Sequence, residues 1–167
     1  MDKIRLEIGK REDPANGMVD AVEIFINNRN LVDIVREVEL PFAQQESKPD
    51  LAGSYVGLPP EDIFSPSRRL LGEPSTYYDH DHSEDKLAVL GCVCGEPGCW
   101  PLLVRITVEE NVVIWDGFEQ PFRSKGPYSI SEGRAIPWEY DLLRPFVFDK
   151  AQYLSELSKS PGNGPPG

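Results

Sequence analysis

Apolar and polar residues alternate near the start of the chain, which predicts strands. Ile4, Leu6 and Ile8 alternate with charged residues, and residues 21–27 (AVEIFIN) are rich in β-branched and aromatic side chains. A period of two is typical of a half-buried strand, and a denser apolar run indicates an inner strand. Residues 11–17 are polar and contain proline and Asn-Gly, so they predict the hairpin loop between the two strands.

The apolar spacing then changes to that of a helix. Asn30 is a suitable N-cap, and the apolar residues that follow fall on one helical face. Pro41 is predicted to end this helix. The charged segment at residues 36–39 is predicted to be a solvated helix face. The apolar positions of the face are Leu31, Ile34, Val35 and Val38.

The clearest hairpin signal lies in the second half of the chain. Residues 87–93 predict a buried strand, and residues 102–108 and 112–116 predict a hairpin with a two-residue turn. This turn places an apolar stripe on one face of the hairpin. It sets Arg105 opposite Asp116 on the other face, as a complementary charge pair.

The remaining elements are short and are separated by turns. Residues 59–64 and 65–72 predict short helical segments, and Gly72 is suited to end the second one. Residues 145–148 predict a last strand, and Asp149 is the predicted N-cap of a final helix. Together these elements predict a single α+β domain over residues 1–159. It has a mainly antiparallel sheet and about three short helices, followed by a flexible Pro/Gly tail at residues 160–167.

Composition and charge narrow the functional class. The chain has 167 residues and a net charge of −11, so its field repels polyanions and no nucleic-acid partner is expected. An acidic surface suits a basic protein partner. No secretory signal and no membrane-spanning run are expected. The odd number of cysteines, three, favours reduced thiols or metal ligands, so a cytoplasmic location is predicted.

All three cysteines lie in one glycine-rich stretch, at Cys92, Cys94 and Cys99. If the first two are still in extended chain, their side chains point the same way, and a turn returns the third. The three thiolates, with His80 or His82, then make a zinc site of the Cys₃His type. The spacing departs from the usual C-x₂₋₄-C pair, which favours a structural corner with Cys92 and Cys99 packed inside. A reversible Cys94–Cys99 disulfide is a third alternative.

Other candidate binding residues carry less specific signals. Arg68 and Arg69 are an adjacent basic pair that is a candidate anion site, and Trp100 is a candidate member of an aromatic binding surface. Glycine motifs for phosphate binding and nucleophile motifs for hydrolysis are absent from the sequence, so no catalytic residue is assigned. No cofactor is predicted, except zinc under the alternative hypothesis that the cysteine stretch binds a metal.

The chain resembles a family of small bacterial proteins of unknown function. The resemblance rests mainly on the string C-x-C-G-x-x-G-C-W-P-L at residues 92–102. It extends to Leu51-Ala52-Gly53-x-Tyr55 and to Phe146-x-Phe148-Asp149-x-x-Gln152-Tyr153. It implies a bacterial cytosolic protein and brings no activity.

Three functions follow from these observations. The leading prediction is a non-enzymatic acidic binding protein of the bacterial cytosol, of an immunity or antitoxin-like kind, because the chain lacks a coherent catalytic set. The first alternative is a zinc-binding protein that uses Cys92, Cys94 and Cys99. The second alternative is a thiol-dependent enzyme, in which one of these cysteines is the nucleophile.

Overall fold

The computed structural model describes residues 1–74, 85–95, 99–123 and 137–159. Within these ranges the chain forms two antiparallel sheets and two α-helices, which confirms the α+β class. The prediction of about three short helices differs slightly, because the segments near residues 60 and 70 are single 3₁₀ turns, Pro60–Asp62 and Arg69–Leu71. The elements are β1 Ile4–Asp13, β2 Gly17–Ile26, β3 Arg29–Asn30, α1 Leu31–Gln45, β4 Tyr55–Gly57, β5 Leu87–Cys92, β6 Leu102–Val108, β7 Val112–Glu119, β8 Phe146–Asp149 and α2 Lys150–Leu157.

The first sheet contains β1, β2 and β3 in that order. Its hairpin is longer than predicted, because β1 and β2 stay paired from Ile4↔Ile26 as far as Asp13↔Gly17. The Asp13 carboxylate closes the turn by accepting the backbone N–H groups of Ala15, at 2.8 Å, and Asn16, at 3.2 Å. An Asx turn of this kind needs few residues, so the loop occupies residues 14–16 rather than 11–17.

The second sheet contains β4 to β8 in sequence order. The predicted register of its central hairpin is confirmed, with Ile106 opposite Trp115 and Arg105 opposite Asp116. The guanidinium of Arg105 donates to the Asp116 carboxylate at 3.3 Å. Strand β5 is buried along its whole length, as its uninterrupted apolar run predicts.

Helix α1 begins as predicted but ends later. The side chain of Asn30 accepts the N–H of Val32 at 2.9 Å, which confirms the cap. Pro41 lies inside the helix, so the prediction that it ends the helix is wrong. Proline disturbs the turn that precedes it, but the turn that follows keeps its backbone bonds, with the N–H of Glu46 3.3 Å from the Phe42 oxygen.

The two sheets meet where β2 passes β4. The N–H of Val22 donates to the carbonyl of Leu58 at 2.9 Å. A Cβ atom on Gly57 would lie 2.1 Å from the carbonyl oxygen of Val22, so only glycine allows this approach. Both sheets and both helices contribute to one core, whose largest fully buried side chains include Trp115, Phe148 and Tyr153.

Helix α2 covers the edge of β1. Its N-cap Asp149 accepts the N–H of Gln152 at 3.0 Å, as predicted. The side chains of Gln152 and Glu156 then accept the backbone N–H groups of Ile4, at 3.2 Å, and Leu6, at 2.8 Å. These contacts replace a neighbouring strand along the first half of β1. Neither α1 nor α2, nor any other helix in the described ranges, is long and apolar enough to span a membrane.

Candidate metal site

The three cysteine side chains converge at the end of β5. The Sγ atoms of Cys92, Cys94 and Cys99 all lie within 4.8 Å of one another. A zinc ion bound to three thiolates at about 2.3 Å holds the sulfur atoms about 3.8 Å apart. The sulfur atoms therefore need only a small contraction to share one ion.

A tight turn, rather than an extended strand, brings Cys92 and Cys94 together. Strand β5 ends at Cys92, and the N–H of Gly95 donates to the Cys92 carbonyl at 3.1 Å. Gly95 has a φ of 94°, a conformation that disfavours other residues. The N–H of Cys94 donates to the Cys92 sulfur at 3.4 Å, an interaction that also stabilises a thiolate.

The three thiols differ in exposure. Cys92 is buried, whereas Cys94 and Cys99 are exposed. The expectation that both Cys92 and Cys99 pack inside a structural corner is therefore wrong for Cys99. Burial raises the pKa of the Cys92 thiol to about 12, so this thiol carries its proton at neutral pH until a ligand displaces it.

The first end of the turn is held by β4. Cys92 pairs with Tyr55 across β4 and β5, so their side chains lie side by side on one face of the sheet. The Tyr55 hydroxyl donates to the carboxylate of Glu39 at 2.5 Å, and the Tyr140 hydroxyl donates to the same oxygen at 2.6 Å. The N–H of Gly53 donates to the other oxygen at 2.8 Å. We name these four residues the Glu39 cluster.

The Glu39 cluster was not expected from the sequence. Glu39 is fully buried, so the prediction of a solvated face over residues 36–39 is wrong at this position. Burial is the largest influence on its carboxyl group and raises its pKa. A signal was present in the sequence, because Glu39 lies four residues after Val35 and eight after Leu31, on the buried stripe of α1.

Aromatic residues hold the chain directly after Cys99. Trp100 follows Cys99, and its ring stacks on Phe122 with centroids 6.2 Å apart and meets Trp138 edge-on at 6.0 Å. The guanidinium carbon of Arg123 lies 4.9 Å from the Trp100 ring centroid. Trp100 thus packs against the main core and against a smaller hydrophobic cluster that contains Trp138, and its role in a binding surface stays a prediction.

The tip of the β1–β2 hairpin packs against the turn. A Cβ atom on Gly95 would lie 3.5 Å from Pro14 and 3.7 Å from both the Arg11 guanidinium and the Asp13 carboxylate. A cleft of about 380 Å³ beside the turn is lined by residues that include Arg11, Asp13, Glu61 and Cys92. The hairpin tip therefore brings both a guanidinium and a carboxylate to the turn, and the two groups form an ion pair with each other at 3.8 Å.

The predicted basic pair, Arg68 and Arg69, does not form one site. Arg68 is exposed and forms an ion pair with Glu73, whereas Arg69 is buried and donates to the Ala88 carbonyl at 3.1 Å. The two guanidinium groups therefore have different surroundings, and their role in anion binding stays a prediction. His80 and His82 lie outside the described residues.

Neither a protein-family model, nor a curated protein, nor a solved structure matches the chain. The resemblance carried by the C-x-C-G-x-x-G-C-W-P-L string therefore stays an expectation. The function has to be inferred from the geometry of the described residues.

Proposed function

We propose that the protein binds one zinc ion through the thiolates of Cys92, Cys94 and Cys99. The observation that supports this proposal is the convergence of all three cysteines of the chain to within 4.8 Å at their sulfur atoms. Packing alone does not require thiols here, since two of them are exposed. Three converging sulfur atoms are the ligand set of a thiolate metal centre.

The ligand chemistry favours zinc over magnesium and calcium. Thiolates suit soft or borderline ions such as zinc, whereas magnesium and calcium prefer oxygen ligands. The carboxylate of Glu39 is already bonded to three donors and is therefore unsuited to recruit a hard cation. Zinc also fits the reduced state of the three thiols.

A fourth ligand completes a tetrahedral zinc centre. His80 and His82 remain the candidates that the sequence supplies. With a histidine as fourth ligand the site is closed and structural, and with water in that position it retains an open position of the catalytic kind. The number of protein ligands thus separates a structural zinc site from an enzymatic one.

The surroundings support binding of an ion in two ways. The exposed Cys94 and Cys99 give the ion an entry path, and the buried Cys92 anchors it against the sheet. The hydrogen bond from the Cys94 N–H to the Cys92 sulfur orients that ligand before the ion arrives. The turn is therefore largely pre-formed.

The other predicted functions have no specific support in the geometry. An acidic binding protein with a basic partner, an immunity or antitoxin-like role, a cytosolic location and a thiol-dependent enzyme all stay predictions.

Cobalt(II) titration tests the proposal directly. Cobalt bound to thiolates gives sulfur-to-metal charge-transfer absorption, and zinc should abolish this absorption at one equivalent. The variants Cys92→Ser, Cys94→Ser and Cys99→Ser should each weaken zinc binding by about 100-fold or more. Loss of a residue that only supports a metal ligand already costs about 10–100-fold.

The matched control is Val93→Ala, which changes an exposed side chain within the same turn and removes no ligand. It should leave the cobalt spectrum and the zinc affinity unchanged. A wild-type protein that holds less than about a tenth of an equivalent of zinc, after purification without a metal-affinity tag, would contradict the proposal.

A further inference from the structure

We propose that Cys94 and Cys99 are an oxidation site, at which a hydroperoxide forms a disulfide and releases the metal ion. The disulfide follows from the thiol geometry alone. The release of the ion rests on the function proposed above.

Distance and exposure select this pair of cysteines. The sulfur atoms of Cys94 and Cys99 lie within 4.8 Å of each other, and both side chains are exposed. A disulfide requires the two sulfur atoms to approach to about 2.05 Å, and neither exposed side chain belongs to the packed core. A dissolved oxidant reaches both sulfur atoms.

Burial separates Cys92 from the other two thiols. It lies buried at the end of β5 beside Tyr55, so a dissolved oxidant reaches it less readily than the exposed Cys94 and Cys99. Its sulfur also accepts the N–H of Cys94. Cys92 therefore stays a thiol while the other two cysteines are oxidised.

The reaction is a two-electron oxidation in two steps. The first thiolate attacks the peroxide, so that an S–O bond forms, the O–O bond breaks and an alcohol or water leaves after protonation. The second thiolate attacks the resulting sulfenic acid, so that the S–S bond forms and hydroxide leaves as water. Each sulfur loses one electron, and the peroxide gains two.

The metal ion loses two of its three sulfur ligands in this reaction. Once the S–S bond has formed, Cys94 and Cys99 are no longer thiolates and no longer bind the ion strongly. The remaining sulfur of Cys92 takes a proton as the ion leaves to solvent. A thiol reductant reverses the oxidation and restores the ligand set.

The experiment treats zinc-loaded and zinc-free protein with hydrogen peroxide and follows thiols, mass and zinc. Each chain should fall from three thiols to one and lose the mass of two hydrogen atoms, and a zinc indicator should report one equivalent released. The tryptic peptide at residues 87–105 contains all three cysteines, so its mass alone does not show which two are joined. Cysteine variants identify the pair.

Cys92→Ala should still form the disulfide in its zinc-free form, whereas Cys94→Ala and Cys99→Ala should form no disulfide within one chain. Circular dichroism confirms that each variant is folded. A bond to Cys92 in the wild-type protein, or sulfinic acids without a disulfide, would overturn the assignment.

The two proposals fail in different ways. A wild-type protein that never binds zinc refutes the metal site, while its zinc-free form still decides whether the disulfide forms. A protein that binds zinc, forms the disulfide and retains the ion refutes only the release.

Discussion

Tyr55 and Cys92 are paired across β4 and β5, and their side chains enter clusters of opposite character. Tyr55 joins the Glu39 cluster, in which one buried carboxylate accepts hydrogen bonds from two hydroxyl groups and one backbone N–H. Cys92 joins a cluster of sulfur atoms, two of which belong to exposed side chains. The first cluster is closed to solvent and the second is open.

The closed Glu39 cluster has a structural role, whereas the open sulfur cluster has the chemistry of a binding site. A buried carboxylate has to be bonded inside the protein, because an unbonded one would cost several kilocalories per mole. Glu39 meets this requirement with donors from Gly53, Tyr55 and Tyr140. Because Tyr55 belongs to β4, its hydrogen bond fixes β4 against α1. Sulfur atoms accept only weak hydrogen bonds and need no convergence for stability. Their convergence is therefore better explained by a ligand that they share.

The largest expected effect comes from opening the Glu39 cluster. Glu39→Ala leaves the hydroxyl groups of Tyr55 and Tyr140 and the N–H of Gly53 without an acceptor. At about 1–3 kcal/mol for each of the three donors, the free energy of unfolding should fall by at least about 3 kcal/mol. Urea denaturation of the zinc-free protein measures this loss.

The matched control is Glu37→Ala on the same helix, where an ion pair with Arg29 is exposed. It should change stability by less than about 1 kcal/mol. If Glu39→Ala instead preserved stability and abolished zinc binding, the two clusters would be one site with a shared binding role.

The next effect concerns the open cluster. In zinc-free protein, Cys94→Ser and Cys99→Ser should change the free energy of unfolding by no more than about 0.5 kcal/mol, as surface substitutions do. In the wild type, zinc at about 100 times its dissociation constant should add about 2.7 kcal/mol. Both variants should lose most of this gain. Thermal and urea unfolding without zinc measure the effect of each substitution on stability, and the same experiments with zinc measure the stabilisation by the ion.

Stabilisation of the variants by zinc to the same extent as the wild type would place the ion elsewhere. Strong destabilisation of both variants without zinc would mean that these thiols are structural.

The smallest expected effect concerns the ion pair between Asp2 and Arg144. The Arg144 guanidinium binds both oxygens of Asp2, at 2.7 and 3.0 Å, and holds the pKa of that carboxyl well below its usual range. A lowered pKa stabilises the fold above the unfolded value of about 3.9, and the gain is lost as pH falls below it. Asp2→Asn should therefore cost about 1–2 kcal/mol near neutral pH, since Arg144 is largely exposed.

Urea denaturation at about pH 7 and about pH 3 tests this dependence. The difference between the wild type and the variant should shrink in acid. A difference that is constant across this range would show that the charge of Asp2 contributes little to stability.

Local features of the fold were predictable from the sequence, and long-range ones were not. The caps at Asn30 and Asp149 and the register of Arg105 with Asp116 depend on neighbours within a hairpin or one helical turn. The buried Glu39 carboxylate also needs hydrogen-bond donors, and one of them is Tyr140, which is 101 residues away in the chain. No local pattern supplies that contact.

The candidate site shows the same division. The convergence of the three cysteines was predictable as one alternative, because they lie within eight residues and are joined by glycines. Their unequal exposure was not, since the burial of Cys92 depends on the pairing of β5 with β4. The aromatic packing that holds Trp100 also depends on Trp138, which is distant in sequence.

X-ray absorption at the zinc edge of zinc-loaded protein tests the central claim most directly. The three-cysteine site predicts a first shell with about three sulfur atoms at about 2.3 Å and one lighter ligand at about 2.0–2.1 Å. A shell made of nitrogen and oxygen atoms, with no sulfur or a single one, would contradict it.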